Sequence, residues 1–345
     1  MLITLLASAF VFGMLVLVHE LGHFVTAKLT GMQVDEFAIG FGPRLFSYKY
    51  GETVYSLRIV PLGGFNDIAG MNPEDNDAGD RGYSSKPILA RMIVISAGSL
   101  MNFILPVFLF WGIFAYGGIS SPSPEPVLGE VVAGKPAYIA GLRAGDRILR
   151  VNGTAVNDWS SFAKIIFNGE GKILTVDFQR DGAEKSVRVI PEYDKKARRP
   201  IVGVVSSAKT VKLGFFEAGK MAVQKTGFVI YKMVEGVWQL ISGRAEGQIA
   251  GPIGVAQMAG EVANIGFLAL LNFAALLSLN LGVINMLPVP ALDGGYFVTL
   301  ILEALRGKPL GAKATHYTQV VGISLLVALM VFATKNDIVR LITGG

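Results

Sequence analysis

A chain of 345 residues that is 52% hydrophobic and only 17% charged, with a mean hydropathy of +0.50, is too apolar for an ordinary water-soluble protein. It is also too charged to lie in lipid throughout. Its net charge of +5 comes from Lys and Arg scattered along the chain rather than interleaved with aromatics on one face, which argues against a nucleic-acid partner, and the absence of cysteine leaves histidine and carboxylate as the only metal ligands.

Four runs are long and apolar enough to span a bilayer: about Leu2 to Ala27, Met92 to Gly117, Ile265 to Leu287 and Tyr317 to Thr334. No Lys or Arg precedes the first apolar stretch, so it reads as a retained spanning helix and not a signal peptide. The loop after it carries Lys28, Arg44, Lys49, Arg58, Arg81, Lys86 and Arg91, which the positive-inside rule places in the cytoplasm. Both termini are then expected outside. The turn around Arg306, Lys308 and Lys313 returns to the cytoplasmic side.

The first run meets no charge before His19-Glu20-Leu21-Gly22-His23. On a helix, residues four apart share a face, so His19 and His23 offer two imidazoles to one ion with Glu20 beside them. An ion held there would acidify a water molecule, and the carboxylate would carry its proton to a leaving amine. Polar side chains at membrane depth are costly unless they face protein or water, so chance is a poor account of the cluster. His23 precedes Lys28 by five residues, roughly 8 Å at 1.5 Å per residue, which is shallow enough for water from the cytoplasm. The remaining histidine, His316, follows a basic stretch and reads as an interfacial residue.

Two histidines leave a catalytic site one protein ligand short. No charge occurs between Glu261 and Asp293, and Asp293 ends the string Asn285-Met286-Leu287-Pro288-Val289-Pro290-Ala291-Leu292-Asp293-Gly294-Gly295. Taken alone, this aspartate would be a helix cap. With His19 and His23 waiting for a partner, the ligand reading wins.

These two motifs, in this order and separation, resemble those of the site-2 family of intramembrane zinc metalloproteases, in its bacterial RseP-like branch. The resemblance implies one Zn²⁺ per chain held by His19, His23 and Asp293, with Glu20 as the catalytic acid–base group. It also implies that Asn285 holds substrate backbone near the metal. Gly40-Phe41-Gly42-Pro43 and the segment Thr53 to Phe65 look like the family's membrane-associated β-hairpin. Val54, Tyr55, Leu57, Ile59 and Val60 have β-propensity on their own account. An intramembrane protease must extend its substrate, so Ile59, Val60, Pro61, Leu62, Gly63 and Gly64 are candidates to add a substrate strand, although a hairpin that merely packs is equally compatible. In the second run the family's A-G-P-x-x-N-F is matched by Ala97-Gly98-Ser99-Leu100-Met101-Asn102-Phe103. Ser99 stands where the family has proline, so no kink is implied there. Asn102 is placed to touch substrate or the active site, or simply to pack.

From about 119 to 207 the composition is that of a water-soluble domain. Ala140-Gly141-Leu142-Arg143-Ala144-Gly145-Asp146-Arg147-Ile148 followed by Val151-Asn152-Gly153 is similar to a bacterial PDZ domain, which implies peptide capture by β-augmentation, with Val127, Leu128, Gly129, Glu130 and Val131 as the receiving strand; steric screening of bulky substrates is the alternative. Strands are expected at Val127 to Val132, Arg147 to Val151, Leu174 to Arg180, Ser186 to Ile190 and Ile201 to Val205, and helices at Pro136 to Ala140 and Trp159 to Phe167. Phe215 to Ile241 reads as an amphipathic helix on the outer membrane surface, followed by a turn at Gly251-Pro252-Ile253-Gly254.

The expectation is an integral membrane α-helical bundle of about four transmembrane helices, with a membrane-associated β-hairpin and an inserted α+β PDZ-like domain. Its parts are a membrane region (1–118), the periplasmic PDZ-like domain (119–207), a membrane-surface segment (208–264) and a second membrane region (265–345). The chain is expected in the bacterial inner membrane, with the active site near the cytoplasmic side. Its expected activity is zinc-dependent endoproteolysis of single-pass transmembrane proteins, such as anti-sigma factors or signal-peptide remnants. The partners are then those substrates and the lipid bilayer; oligomeric state is left open. The competing readings are a non-catalytic PDZ-bearing scaffold with a structural metal, and a transporter, which four spans with few polar residues disfavour.

Overall fold

The computed structural model describes residues 1–71, 79–194, 198–244 and 251–343. The chain divides into a helical unit, Met1–Tyr116 with Gly214–Gly345, and an inserted unit, Gly117–Leu213. The helical unit opens with α1 (Leu2–Leu29), the hairpin β1 (Val34–Tyr50) and β2 (Thr53–Ile68), and α2 (Ile88–Gly117). α2 begins four residues earlier than its apolar run, because Arg91 in the extra turn is paired through both guanidinium nitrogens with Glu303, and a paired charge can be buried.

The hairpin is antiparallel, with register irregularities from Val34 to Phe46, because residues 36–39 of β1 have partners in both 54–57 and 64–67 of β2. Glu36 lies inside it, accepting from Arg44, Ser56 and Arg58. Burial would push its carboxyl up, but the three donors outweigh burial and hold it at about 2.

The inserted unit follows as β3 (Ile119–Pro122), β4 (Leu128–Val131), α3 (Pro136–Ile139), β5 (Arg147–Val151), β6 (Thr154–Ala155), α4 (Trp159–Phe167), β7 (Leu174–Arg180), β8 (Ala183–Val189), β9 (Glu192–Asp194), β10 (Arg199–Ile201), β11 (Val204–Ser206) and β12 (Ala208–Val211). Inward residues of the sheet β6-β5-β7-β8, among them Ile148, Val151, Val176 and Phe178, close on Leu128, Leu142, Phe162 and Ile166. Asp158 caps α4 by accepting from Ser161 N, worth about 1 kcal/mol. β3 pairs with β12, so the chain enters and leaves this unit on one ladder. Composition did not signal that ladder.

The chain returns through α5 (Phe215–Ile241), α6 (Pro252–Ile265), α7 (Phe267–Asn285), α8 (Asp293–Arg306) and α9 (Ala312–Thr343). Among the described residues, α1, α2, α7 and α9 are long and apolar enough to cross a membrane. Two expectations need correction. The turn expected at Gly251 to Gly254 is a helix start, since Pro252 occupies the first position of α6, where its fixed φ and missing N–H are favourable. The third run is not continuous from Ile265, because the chain breaks at Gly266, whose φ of 147° suits glycine. α5 keeps the amphipathic spacing expected of it, with Lys220, Gln224 and Lys232 exposed. It buries Ala218, Ala222 and Thr226 while Phe216, Phe228 and Trp238 stay exposed, and its half-buried Lys225 donates to Asn272 at 2.9 Å and lies over the Phe110 ring.

α6 lies along α1, with Ser8 Oγ donating to Ala256 O at 3.1 Å. Ala7, Val11, Leu15, Ala259, Leu270 and Ala274 form the core between α1, α6 and α7. This core holds α1 firmly up to the turn that carries His19.

Candidate metal centre

α1 supplies His19, Glu20 and His23, and the first residue of α8 supplies Asp293. Proline-containing backbone between α7 and α8 ends the former at Asn285 and starts a new helix at Asp293, which delivers a carboxylate to depth without a continuous charged helix. The Nε2 atoms of His19 and His23 are 3.3 Å apart. Each is 3.6 Å from an Asp293 oxygen, and all three donor groups lie within 4.8 Å of one another. Ligand atoms at 2.0–2.1 Å from a tetrahedral Zn²⁺ stand about 3.3–3.4 Å apart, so the spacing is that of a shared ion.

The tautomers agree. His23 Nδ1 lies 2.7 Å from Val94 O; a carbonyl only accepts, so Nδ1 carries the proton and Nε2 presents a lone pair. Two such lone pairs aimed at one point repel unless a cation lies between them. The Asn102 amide is 3.0 Å from His19 Nδ1, and its buried Oδ1 is without a donor in that orientation. Half a turn of the amide lets Oδ1 accept the Nδ1 proton that a metal-binding His19 carries, which satisfies the orphan. Ser99, fully buried, donates to Asp293 Oδ2 at 2.7 Å. One face of α2 thus orients all three ligands through Val94, Ser99 and Asn102.

That face reaches the ligands because the helices touch at glycines. A Cβ at Gly22 would stand 2.5 Å from Ala97 O, and one at Gly98 would stand 2.2 Å from His23 Nε2. Small residues at helix contacts are what close packing in lipid requires.

Other candidates fall elsewhere. Asn285 ends α7, and no described hydrogen bond joins it to the three ligands. Ile59, Val60, Gly63 and Gly64 lie on β2, with Ile59 and Val60 exposed; Pro61 and Leu62 belong to the same strand, and their side chains are outside the described part. Gly64 lies against Glu20. His316 is an exposed residue of α9. The receiving strand expected at Val127, Leu128, Gly129, Glu130 and Val131 is corrected, because one edge is taken along its length and the other where the strand begins. β11 pairs along one side; on the other, Leu128 N donates to Asp146 O and Gly145 N to Leu128 O. The open slot of that unit is a cavity of about 480 Å³ between α4 and residues 199–204, lined by Trp159, Phe162, Ile166, Val202 and Val204.

Sequence reasoning missed two roles. Ser99 was visible only as a departure from a motif, and Asn66, which donates to Glu20 Oε2 at 2.8 Å, left no signal beyond its spacing of two from Gly64.

Known proteins resemble this chain over nearly its whole length. The model of Peptidase family M50 matches residues 7–329. Zinc metalloprotease RasP of Bacillus licheniformis is 31% identical over 418 aligned residues, covering 98% of this chain and 99% of that one. The Regulator of sigma-W protease RasP of Bacillus subtilis is 30% identical with the same coverage. A PDZ domain from Listeria monocytogenes aligns with 25% of the chain and 90% of its own length at 20% identity, with a TM-score of 0.22, too low to assign the inserted unit. The family match spans both metal motifs and nearly all of the helical unit. The chain belongs to peptidase family M50, the site-2 metalloproteases, and its cofactor is zinc.

Proposed function

We propose that the protein cleaves transmembrane segments of single-pass membrane proteins within the bilayer, with one zinc ion per chain. The observation that carries this reading is the His19–His23–Asp293 cluster, whose two histidines lie on a helix apolar enough to span, with Glu20 beside it. When bound, zinc supplies Lewis acidity toward water and the scissile carbonyl. His19, His23 and Asp293 hold the ion, and α2 keeps their donor atoms oriented. The Glu20 carboxylate takes the proton of the attacking water and returns it to the leaving amine nitrogen.

The Ile59–Gly64 stretch of β2, whose Ile59 and Val60 are exposed, offers an edge on which an unwound substrate can add as a strand. In the inserted unit, read as PDZ-like, a peptide adds at the slot beside α4 instead of at β4. The Lys and Arg residues between α1 and α2 favour a cytoplasmic position for that loop, with the termini and the inserted unit outside. Bacillus subtilis RasP is named as a regulator of sigma-W, which makes an anti-sigma factor already shortened outside the cell a fitting substrate class.

The test is Glu20→Gln in the detergent-purified full chain. The expected result is zinc content equal to wild type and cleavage of a single-pass helix reduced by at least about 10²–10⁴-fold. Retained cleavage would overturn the reading.

A further inference from the structure

Gly64 and Asn66 are two apart on β2, and so face the same side of the strand. A Cβ at Gly64 would stand 2.8 Å from Glu20 Cγ and 3.0 Å from Val16 Cγ1, so this side of the hairpin lies directly on α1. Two residues on, Asn66 Nδ2 donates both to Glu20 Oε2 at 2.8 Å and to the Glu20 main-chain oxygen at 2.9 Å. A main-chain oxygen and a carboxylate only accept, so the amide has one allowed orientation. Its Oδ1 is then buried without a donor. A buried acceptor left unpaired is expensive, and such groups call for a functional explanation. Packing alone would be served better by an apolar residue.

We propose that Asn66 is a positioning residue for the acid–base step: it holds Glu20 Oε2, leaves Oε1 free for the reacting atoms, and ties the carboxylate to the hairpin strand. No described residue bonds Oε1. Because one amide grips both the main chain and the side chain of Glu20, the position of β2 along α1 sets the carboxylate's orientation. The stretch offered to substrate, Ile59–Gly64, runs directly into Asn66, so a shift of the strand on substrate addition reaches the base through two residues of backbone. Misplacement of a catalytic group by about 1 Å costs up to about 10²-fold in rate. This inference rests on the proteolytic reading above.

The test is steady-state cleavage of a single-pass helix by the full-length zinc-loaded chain, comparing wild type, Glu20→Gln, Asn66→Leu and Asn66→Asp, with zinc content and melting temperature measured alongside. Asn66→Leu keeps the branched shape, with a somewhat larger volume, and removes the donor. It is expected to lower kcat by about 10- to 100-fold with KM within about twofold of wild type and zinc unchanged. In the inactive Glu20→Gln background, adding Asn66→Leu should leave the dissociation constant of the uncleaved helix unchanged. A kcat within twofold of wild type, or a raised KM at unchanged kcat, would overturn the proposal. If Asn66→Leu loses zinc or melts early, Asn66→Asp, which has the same shape and no donor, decides by the same criterion. A wild-type chain that fails to cleave overturns the proteolytic reading and this proposal together, whereas a fast Asn66→Leu beside an inactive Glu20→Gln overturns this proposal alone.

Discussion

In the inserted unit the fully buried side chains are apolar, such as Leu128, Ile148, Phe162 and Phe178, apart from Asp146, whereas the helical unit buries Ser99, Asn102 and Ser278 as completely as Val11, Phe110 and Leu279. The outsides are reversed as well. α9 exposes Val321, Leu325, Phe332 and other apolar residues, and α5 turns its alanines inward and its aromatics out. The inserted unit is therefore built by removing apolar surface from water. The helical unit has no such gain to make in lipid, so it coheres through close approach and hydrogen bonds, such as Ser278 Oγ to Asn102 O at 2.8 Å. The same chain uses two rules of assembly. Atoms added and atoms removed should then injure the two units differently.

The largest effect is expected from adding one carbon in the helical unit. Gly98→Ala puts a methyl where His23 Nε2 stands, and the ring cannot retreat while Nδ1 is held by Val94 O. Zinc content and cleavage should fall by more than the 10- to 100-fold typical of losing an outer-shell partner. Gly112→Ala on the same helix, with nothing within 4 Å, should be silent in both assays. Equal behaviour of the two variants would break the close-approach account.

The inserted unit should show the opposite sensitivity. Phe178→Ala empties the centre of its core and should cost about 3–5 kcal/mol, read as faster hydrogen exchange across β5, β7 and β8. Metal analysis should find zinc unchanged. A loss of zinc in this variant would mean that the two units do not obey separate rules.

A smaller effect sharpens the boundary between the two rules. Glu36 is a charge buried in the hairpin, with its carboxyl lowered from 4.5 to about 2. A lowered folded-state value means that its stabilisation is complete above about pH 4.5 and is lost as pH falls from there toward 2. Hydrogen-exchange protection of β1 and β2, taken relative to the intrinsic rate at each pH, should therefore be level from pH 7 to pH 5 and fall below pH 4.5. Glu36→Gln should flatten that dependence, and an unchanged slope in the variant would assign it to another group.

Much of this was legible in one dimension. Four apolar runs, the i, i+4 histidines and a lone carboxylate near paired glycines each reflect a local constraint: bilayer thickness, helical pitch, and the cost of charge in lipid. β7 and α4 were legible at their observed bounds, because alternation and a capping residue are written in neighbouring positions. The β3–β12 ladder was not, since strands of four residues carry little pattern and pair across the whole inserted unit. Nor was the occupied state of β4, because a strand's free edge depends on partners distant in sequence.

The metal centre divides the same way. The identity of His19, Glu20 and His23 as a group follows from helix geometry, which any five consecutive helical residues obey. That Asp293 Oδ2 accepts a hydrogen bond from Ser99, that His19 faces Asn102, and that Glu20 is gripped by Asn66 depended on α2 and β2 arriving at α1 at specific heights. Hydrogen bonds reach about 3 Å and carry no record in sequence spacing. Only the packing of glycine against helix, at Gly22, Gly98 and Gly64, decided which side chains would meet.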